Sequence, residues 1–123
     1  MILALSAAAL IALCPAPGSS GGSRHHCVVD GDTVWWNGEK IRIADIDAPE
    51  LHGRCQAERA RAGMARDRLL QLLAGRRVTI TRTGKDRFGR TLARLSVDGR
   101  SIGDQLKREG HAVPWPNRKD WCR

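Results

Sequence analysis

The feature that most restricts the fold is a repeated change of hydrophobic period along a short chain. Apolar residues first alternate with a period of two in three segments separated by Asp-Gly and Asn-Gly, namely residues 26–29, 33–36 and 40–46. Such dipeptides favour tight hairpins, so these segments predict three consecutive antiparallel strands. Ile46 falls out of phase with Ile41 and Ile43, which predicts a β-bulge near Ala44 or Asp45.

The second half of the chain changes to a helical period and then returns to alternation. Residues 56–74 group four leucines on one side of a helix that Gly75 ends, and residues 77–82 and 91–97 alternate again. Ser101 and Asp104 resemble the capping box of a short helix ending at Gly110. This order predicts an α+β fold. Its core would be a five-stranded OB-type β-barrel with one long helix between strands 3 and 4 and a short helix after strand 5.

The first 23 residues differ in composition from the rest. Met1 to Leu13 form an apolar run that is too short for a membrane-spanning helix, and residues 18–23 are a Gly/Ser stretch. We therefore expect residues 1–23 to be a signal peptide with a linker, residues 24–123 to be one folded domain, and the protein to be secreted or periplasmic. A lipid anchor on Cys14 is less favoured, because Leu13 stands where lipoprotein signals carry a small residue.

The formal net charge of +8 lies entirely on the segment that begins at Arg24. Such a density of positive charge favours a polyanionic partner. Charge alone is equally compatible with a soluble basic protein that binds no nucleic acid.

Carboxylates are concentrated in residues 28–33 and 41–50. Asp30-Gly31 taken alone is typical of a hairpin turn. Pairing of neighbouring strands would nevertheless bring these carboxylates together, where they repel each other unless a cation lies between them. The cluster offers oxygen ligands without Cys or His, which favours a hard cation, and the cysteines are too dispersed for a usual zinc site.

A basic loop at residues 85–93 completes the set of unusual segments. Such a loop is commonly solvated charge or a weak phosphate contact. Gly89 before Arg90 permits a backbone conformation that could turn this guanidinium inward.

Three motifs in this order carry a resemblance to a known family. They are Val-Val-Asp-Gly-Asp-Thr, then Ile-Arg-Ile with Asp-Ala-Pro-Glu, then Asp-Arg-Phe-Gly-Arg-Thr-Leu-Ala. Together they resemble the signature of the staphylococcal-nuclease-like, or thermonuclease, domain. The resemblance covers the chain from about Cys27 to Val113.

The resemblance implies a calcium-dependent nuclease that hydrolyses DNA and possibly RNA with little sequence preference, leaving 3′-phosphate and 5′-hydroxyl ends. Asp32 and Asp47 would bind Ca²⁺ through carboxylates and Ala48 through its main-chain carbonyl. Glu50 would orient or activate the attacking water. The guanidinium groups that would hold the scissile phosphate belong to Arg42 and Arg90, and guanidinium geometry suits phosphate oxygens.

The sequence departs from the family pattern in three respects. Ala48 replaces a residue that is often Thr, the chain contains no tyrosine, and the family's long C-terminal helix is missing or reduced to a stub near Trp121. Phe88 fills one position at which family members carry tyrosine. We expect Arg87, Phe88 and Trp115 to bind substrate, with Trp115 either stacking on a base or packing as a core or rim residue.

Two functions of other classes remain as alternatives. A catalytically silent nucleic-acid-binding module of OB type would be expected to lack at least one of the five proposed catalytic or metal-binding side chains, and all five are present. A cation-stabilised interaction domain without nucleic acid gives the two arginines no role. We expect a monomer with no stable membrane span in its mature form.

The cysteines predict one disulfide in an exported protein. Removal of the signal would leave Cys27, Cys55 and Cys122, an odd number in an oxidising compartment. We expect Cys55 to pair with Cys122 and hold the C-terminal tail, with Cys27 as the odd thiol. The alternatives are that Cys27 is the partner of one of them or that all three are reduced.

Overall fold

The computed structural model describes residues 10–16 and 24–123, so most of the predicted signal segment and all of the predicted linker lie outside the described residues. The described chain folds into two helices and a mixed β-sheet, with a small second sheet. The elements are β1 (Ala12–Leu13), β2 (Cys27–Asp30), β3 (Thr33–Trp36), β4 (Glu39–Ile43), β5 (Ile46–Asp47), α1 (Gln56–Leu73), β6 (Val78–Lys85), β7 (Thr91–Val97), β8 (Arg100–Ser101), α2 (Ile102–Arg108) and β9 (Val113–Pro114).

The main sheet has the strand order β1-β2-β3-β4-β7-β6, and β8 adds to β7. Strands β2, β3 and β4 form the predicted antiparallel meander, β4 pairs in parallel with β7, and β7 pairs antiparallel with β6. Among the described residues no pairing joins the edge strands β1 and β6. The α+β class and the order of the five predicted strands and two predicted helices agree with the sequence analysis, which did not predict the two-residue strands β1, β8 and β9. The closed five-stranded OB-type barrel stays a prediction.

Helix α1 packs on the main sheet through one face. Ala62, Ala65, Leu69 and Leu73 recur at helical spacing and are buried. Leu69 and Leu73 join the hydrophobic core formed with the strands, and Leu70 and Leu72 pack at its border. Small residues at the N-terminal end of this face let the helix approach the turn that carries the acidic motif.

Gly31 lies at the closest approach between that turn and α1. A Cβ atom at Gly31 would lie 2.8 Å from the Cβ of Ala65 and 2.9 Å from the Cβ of Ala48. These distances are too short for carbon atoms, so only glycine fits here without displacing its neighbours. The β2–β3 turn is thereby held against both the helix and the segment after β5.

The third predicted strand is interrupted where its hydrophobic phase changes. Strand β4 ends at Ile43, Ala44 and Asp45 form a turn, and β5 begins at Ile46 and pairs with β9 in the second sheet. The predicted irregularity is therefore a two-residue turn and not a bulge within one strand. The turn restores burial of both Ile43 and Ile46, which explains the phase shift in the sequence.

The described N-terminal segment packs against the domain. Strand β1 pairs in parallel with β2, Ile11 is part of the hydrophobic core, and Cys14 forms a disulfide with Cys27. Cys27 is therefore not an odd thiol in this structure. The expectation applied to a chain without Cys14, and with Cys14 present the parallel pairing of β1 and β2 brings the two sulfurs together.

A second disulfide joins Cys55 to Cys122, the pair favoured by the sequence analysis. Cys55 is also the N-cap of α1, where its sulfur accepts a hydrogen bond from the Glu58 N–H. The bond therefore fixes the C-terminal tail to the start of the long helix. The predicted cap of α2 is present as well, since the Ser101 hydroxyl accepts the Asp104 N–H.

Neither helix of the described chain combines the length and the apolar composition that crossing a bilayer requires.

Replacing both cysteines of the Cys55–Cys122 pair by serine should lower the free energy of unfolding by about 4 kcal/mol. Of the two disulfides, this one closes the longer loop and therefore removes more conformational entropy from the unfolded chain. Serine retains a side chain suited to the N-cap position. The matched control is Cys14→Ser with Cys27→Ser, for which the shorter loop predicts a loss of about 3 kcal/mol. Urea unfolding monitored by tryptophan fluorescence measures both. An unchanged midpoint for C55S/C122S would contradict the proposed anchoring of the tail.

Candidate active site

A cleft of about 380 Å³ lies where the β2–β3 turn, the segment after β5 and the C-terminal tail meet. It brings together side chains that are far apart in sequence and carry both signs of charge. Its lining residues are Asp30, Asp32, Arg42, Asp47, Ala48, Glu50, Glu58, Arg90, Trp115, Arg118, Lys119 and Trp121. All six residues to which the sequence analysis gave catalytic or metal-binding roles are among them.

Asp32 lies on the floor of the cleft and is held by hydrogen bonds from two directions. The residue is only 6% exposed, and one carboxylate oxygen accepts the Thr33 hydroxyl at 3.1 Å. The other oxygen accepts the Ala48 N–H at 3.0 Å. Asp32 therefore connects the start of β3 to the segment that follows β5, and its orientation is fixed before any ligand binds.

Arg42 bridges the acidic residues of the cleft. Its Nη1 donates to the carbonyls of Ile43 and Ile46 at 2.8 and 2.9 Å, so it spans the turn between β4 and β5. Its Nη2 lies 3.5 Å from Asp32 Oδ2 and 3.6 Å from Asp47 Oδ1. The guanidinium group is thus anchored on one edge by backbone and turned towards carboxylates on the other.

Burial and mutual repulsion disfavour ionisation of the carboxylates in this cleft. Burial, followed by the negative charge of Asp32, raises the pKa of Asp30 to about 7. The same two causes raise the pKa of Asp47 and that of Glu50, and Arg42 opposes the shift in both. Positive charge from the Arg42 side chain therefore compensates only part of the repulsion.

Glu58 positions the backbone of Glu50 from the first turn of α1. It is only 9% exposed, and its Oε2 accepts the Glu50 N–H at 3.1 Å. Gly53 leaves room for this contact, since a Cβ there would lie 2.5 Å from Glu58 side-chain carbons. Glu58 Oε1 lies 4.0 Å from the Cys122 sulfur, so the disulfide packs against the same carboxylate.

The loop between β6 and β7 presents Arg90 to the cleft. Asp86 organises this loop by accepting hydrogen bonds from the Phe88 N–H, the Arg90 N–H and the Arg90 Nε, the last at 2.6 Å. Gly89 has a φ of +80°, a conformation that glycine adopts without strain and that tightens the turn. Arg90 is therefore held by its Nε, while its side chain lines the cleft.

The predicted substrate-binding residues line a neighbouring groove of about 570 Å³. Phe88 is 69% exposed and Trp115 is 54% exposed, and both lie beside arginines. Arg42 lies over the Trp115 ring and Arg87 over the Phe88 ring, at 5.6 and 4.9 Å from the ring centroids. Trp115 lines both the groove and the cleft, whereas Arg87 and Phe88 line only the groove among these two cavities.

The oxygen donors of the cleft fit a hard cation. Asp32 and Asp47 offer carboxylates and Ala48 follows them with a main-chain carbonyl, while none of the lining residues is a histidine. Across residues 10–16 and 24–123, the only three side chains with potential ligand atoms within 4.8 Å of one another are Cys55, Glu58 and Cys122, and both sulfurs are in a disulfide. A hard cation at Asp32 and Asp47 would therefore complete its coordination with water.

Five lining residues were not assigned to the site by the sequence analysis: Asp30, Glu58, Arg118, Lys119 and Trp121. Asp30 was interpreted as part of a hairpin turn, and it does accept the Asp32 N–H at 3.1 Å. Its position two residues before Asp32 was the available signal for a place in the site. The others reach the cleft only through tertiary packing, and nothing local in their sequence indicated it.

The cleft combines properties that suit an anionic substrate with a reacting phosphorus centre. Two guanidinium groups can contact phosphate oxygens, and Glu50 offers a carboxylate able to orient and deprotonate water. Asp32 and Asp47 supply negative charge that would repel phosphate unless a cation is bound between them. The arrangement can therefore support phosphodiester hydrolysis assisted by a metal ion.

Comparison with known proteins agrees with this geometry. The sequence profile of a family described as staphylococcal nuclease homologue matches residues 40–120. A succinoglycan biosynthesis protein ExoI from Rhizobium meliloti is 34% identical over 92 residues, covering 70% of this chain and 48% of that protein. An uncharacterized endonuclease of Escherichia coli O157:H7 is 33% identical over 93 residues, covering 69% of this chain and 55% of its own length.

The chain thus spans about half the length of these relatives. The matched segment contains the turn after β4, helix α1 and the basic loop, which are the elements that position most of the cleft. Since the profile covers well over half of the chain, the protein belongs to the staphylococcal nuclease homologue family.

Proposed function

We propose that this protein is a calcium-dependent nuclease that hydrolyses phosphodiester bonds in DNA, and in RNA as well, with little sequence preference. The main observation in support of this proposal is that Arg42, Arg90 and Glu50 line the same cleft as Asp32 and Asp47. The similarity to an uncharacterized endonuclease of Escherichia coli O157:H7 supports the same class of reaction. A catalytically silent binding module would not require this complete set of catalytic and metal-binding side chains.

In the proposed reaction the arginines hold the scissile phosphate and Glu50 takes a proton from water. The water oxygen bonds to phosphorus, and the bond from phosphorus to the 5′ oxygen breaks. That oxygen takes a proton from solvent and leaves as a 5′-hydroxyl, while the phosphate remains on the 3′ oxygen. Arg42 and Arg90 stabilise the negative charge that builds on the phosphate oxygens during this step.

Asp32, Asp47 and the Ala48 carbonyl would hold Ca²⁺. When bound, this ion supplies a Lewis acid next to the phosphate and neutralises part of the carboxylate charge. A flexible site with few carboxylates and a main-chain carbonyl ligand suits the loose coordination of calcium better than the strict octahedron of magnesium.

The groove beside the cleft would bind a nucleotide next to the scissile phosphate. Trp115 and Phe88 offer exposed rings on which bases can stack, and Arg87 offers a phosphate contact. Stacking tolerates any base, which supports low sequence preference.

We also propose that the protein is exported to the periplasm or the medium and acts as a monomer with an OB-type barrel. The Cys55–Cys122 disulfide, which lies within the predicted mature domain, supports an oxidising compartment. Size-exclusion chromatography with light scattering tests the oligomeric state, and fractionation of the host cell tests the location.

Hydrolysis should require calcium. Purified protein should cleave single-stranded DNA, double-stranded DNA and RNA in Ca²⁺, lose this activity in excess chelator, regain it when Ca²⁺ is restored, and respond poorly to Mg²⁺. A gel assay with end-group analysis measures both the rate and the predicted 3′-phosphate. Full activity in chelator would refute the metal requirement, and a 5′-phosphate product would refute the bond assignment.

Arg42→Ala and Arg90→Ala should each lower kcat by roughly 100- to 1,000-fold, because each removes an oriented donor to the charge of the transition state. Arg90→Lys should not restore activity, since an ammonium group lacks the planar two-pronged contact. Arg76→Ala is the control, because this exposed arginine lies outside the cleft. Near-parental kcat in either alanine variant would remove that arginine from the mechanism.

Glu58→Ala should lower kcat by roughly 10- to 100-fold, because Glu50 loses the acceptor for its N–H and shifts relative to the phosphate. Glu58→Gln keeps an acceptor oxygen and should recover most of the activity. Thermal unfolding of both variants separates positioning from stability. If Glu58→Gln is as inactive as Glu58→Ala at equal stability, the hydrogen bond to Glu50 is not what Glu58 contributes.

A further inference from the structure

The C-terminal strap, residues 115–122, forms one wall of the cleft. It follows strand β9, whose partner β5 carries Asp47, and the Trp115 N–H donates to the Asp45 carbonyl at 3.0 Å. At its other end Cys122 is bonded to Cys55 at the start of α1. Both ends of the strap are therefore fixed to elements that position the active site.

Further contacts hold the C-terminal part of the strap. The Trp121 carbonyl accepts a hydrogen bond from Arg61 Nη1 at 2.6 Å, and Trp121 is only 5% exposed. Asp120 forms an ion pair with Arg54 at 2.7 Å. The backbone after Lys119 is thus tied to α1 and to the segment that precedes it, whereas the backbone before Arg118 is tied to the β4–β5 turn through the Trp115 N–H.

Arg118 and Lys119 lie on this tethered backbone as exposed cations that line the cleft. Within the described part of the chain, neither forms an ion pair with a carboxylate. The Lys119 Nζ lies 4.9 Å from the centroid of the Trp121 ring, and this cation–π contact holds the ammonium group close to the strap. Arg118 is near enough to Asp47 for its charge to oppose the rise in the pKa of that carboxyl.

The two cavities indicate where these cations lie relative to the reacting phosphate. Arg42, Arg90 and Trp115 line both the cleft and the groove, so they lie at the junction. Phe88 lines the groove, whereas Arg118 and Lys119 line the cleft. A polynucleotide strand that crosses the two arginines would therefore meet the Phe88 ring on one side and the strap cations on the other.

Resting on the proposed nuclease function, we infer that Arg118 and Lys119 form a second phosphate subsite. This subsite binds backbone phosphates of a polynucleotide on the side of the scissile bond opposite Phe88. It favours polymers over substrates with a single phosphodiester. Because backbone contacts carry no sequence information, the subsite adds affinity without base preference.

The test compares R118A/K119A with R76A/R77A, which removes the same formal charge. Arg76 and Arg77 are exposed, line neither the cleft nor the groove, and make no ion pair in the described chain. A second variant, R118Q/K119Q, retains more side-chain packing. Thermal unfolding verifies that all variants are folded.

The first readout is binding without hydrolysis. Anisotropy of a labelled single-stranded 12-mer in excess chelator is measured at several salt concentrations. Loss of two phosphate contacts should reduce the slope of log K against log salt by about 1.4 and weaken binding roughly 5- to 10-fold at low salt. R76A/R77A should change the slope by much less. Equal slopes for the two double variants would overturn the subsite.

The second readout is kcat/KM in Ca²⁺ for the 12-mer and for a dinucleotide with one phosphodiester. The strap variants should lose at least about fivefold more on the 12-mer than on the dinucleotide, mainly through KM. Equal losses on both substrates would show that the cations act on the carboxylates and overturn the subsite. If the parent protein cleaves neither substrate, the nuclease proposal fails, and the anisotropy series still decides whether the strap binds phosphates.

Discussion

The architecture of the site depends on one guanidinium group. Arg42 ties the two carbonyls that flank the β4–β5 turn and at the same time faces Asp32 and Asp47. Without this positive charge, the carboxylates would repel one another across the cleft. The two carbonyl groups that flank the turn would also lose their hydrogen-bond donor. The residue proposed to hold the phosphate is therefore also the residue that keeps its acidic neighbours together, so structure and function are coupled at this position.

The remaining walls are built by connections over long sequence distances. Glu58 reaches the backbone of Glu50 from α1, and the disulfide next to it carries the C-terminal strap to the same place. A disulfide and buried hydrogen bonds are an economical way to preorganise a cleft in a small domain, since little hydrophobic core is available to do so. The tryptophan at position 121 completes this wall by packing in the interior.

Local pattern was sufficient for much of this structure. The five longer strands, the long helix and the Ser101 cap follow from hydrophobic period and turn residues, and pairing of β3 with β4 brings Asp32 next to Arg42. The break after Ile43 was anticipated, but its form was not, because pairing of β5 with β9 is a tertiary contact. Glu58, Arg118 and Lys119 carry no periodic or motif signal. They reach the cleft through a helix end and a disulfide whose geometry exists only in the folded chain.

The short pairing of β1 with β2 has a consequence for the protein's behaviour at high concentration. Strand β2 would otherwise present free N–H and carbonyl groups along its outer side, and such an edge can template pairing with another molecule. Two residues of parallel strand, covalently attached through Cys14 and seated by Ile11, occupy that edge. A chain that retains residues 10–16 is therefore protected from intermolecular strand addition at β2, whereas removal of this segment with the predicted signal would expose the strand edge and the core surface that Ile11 covers.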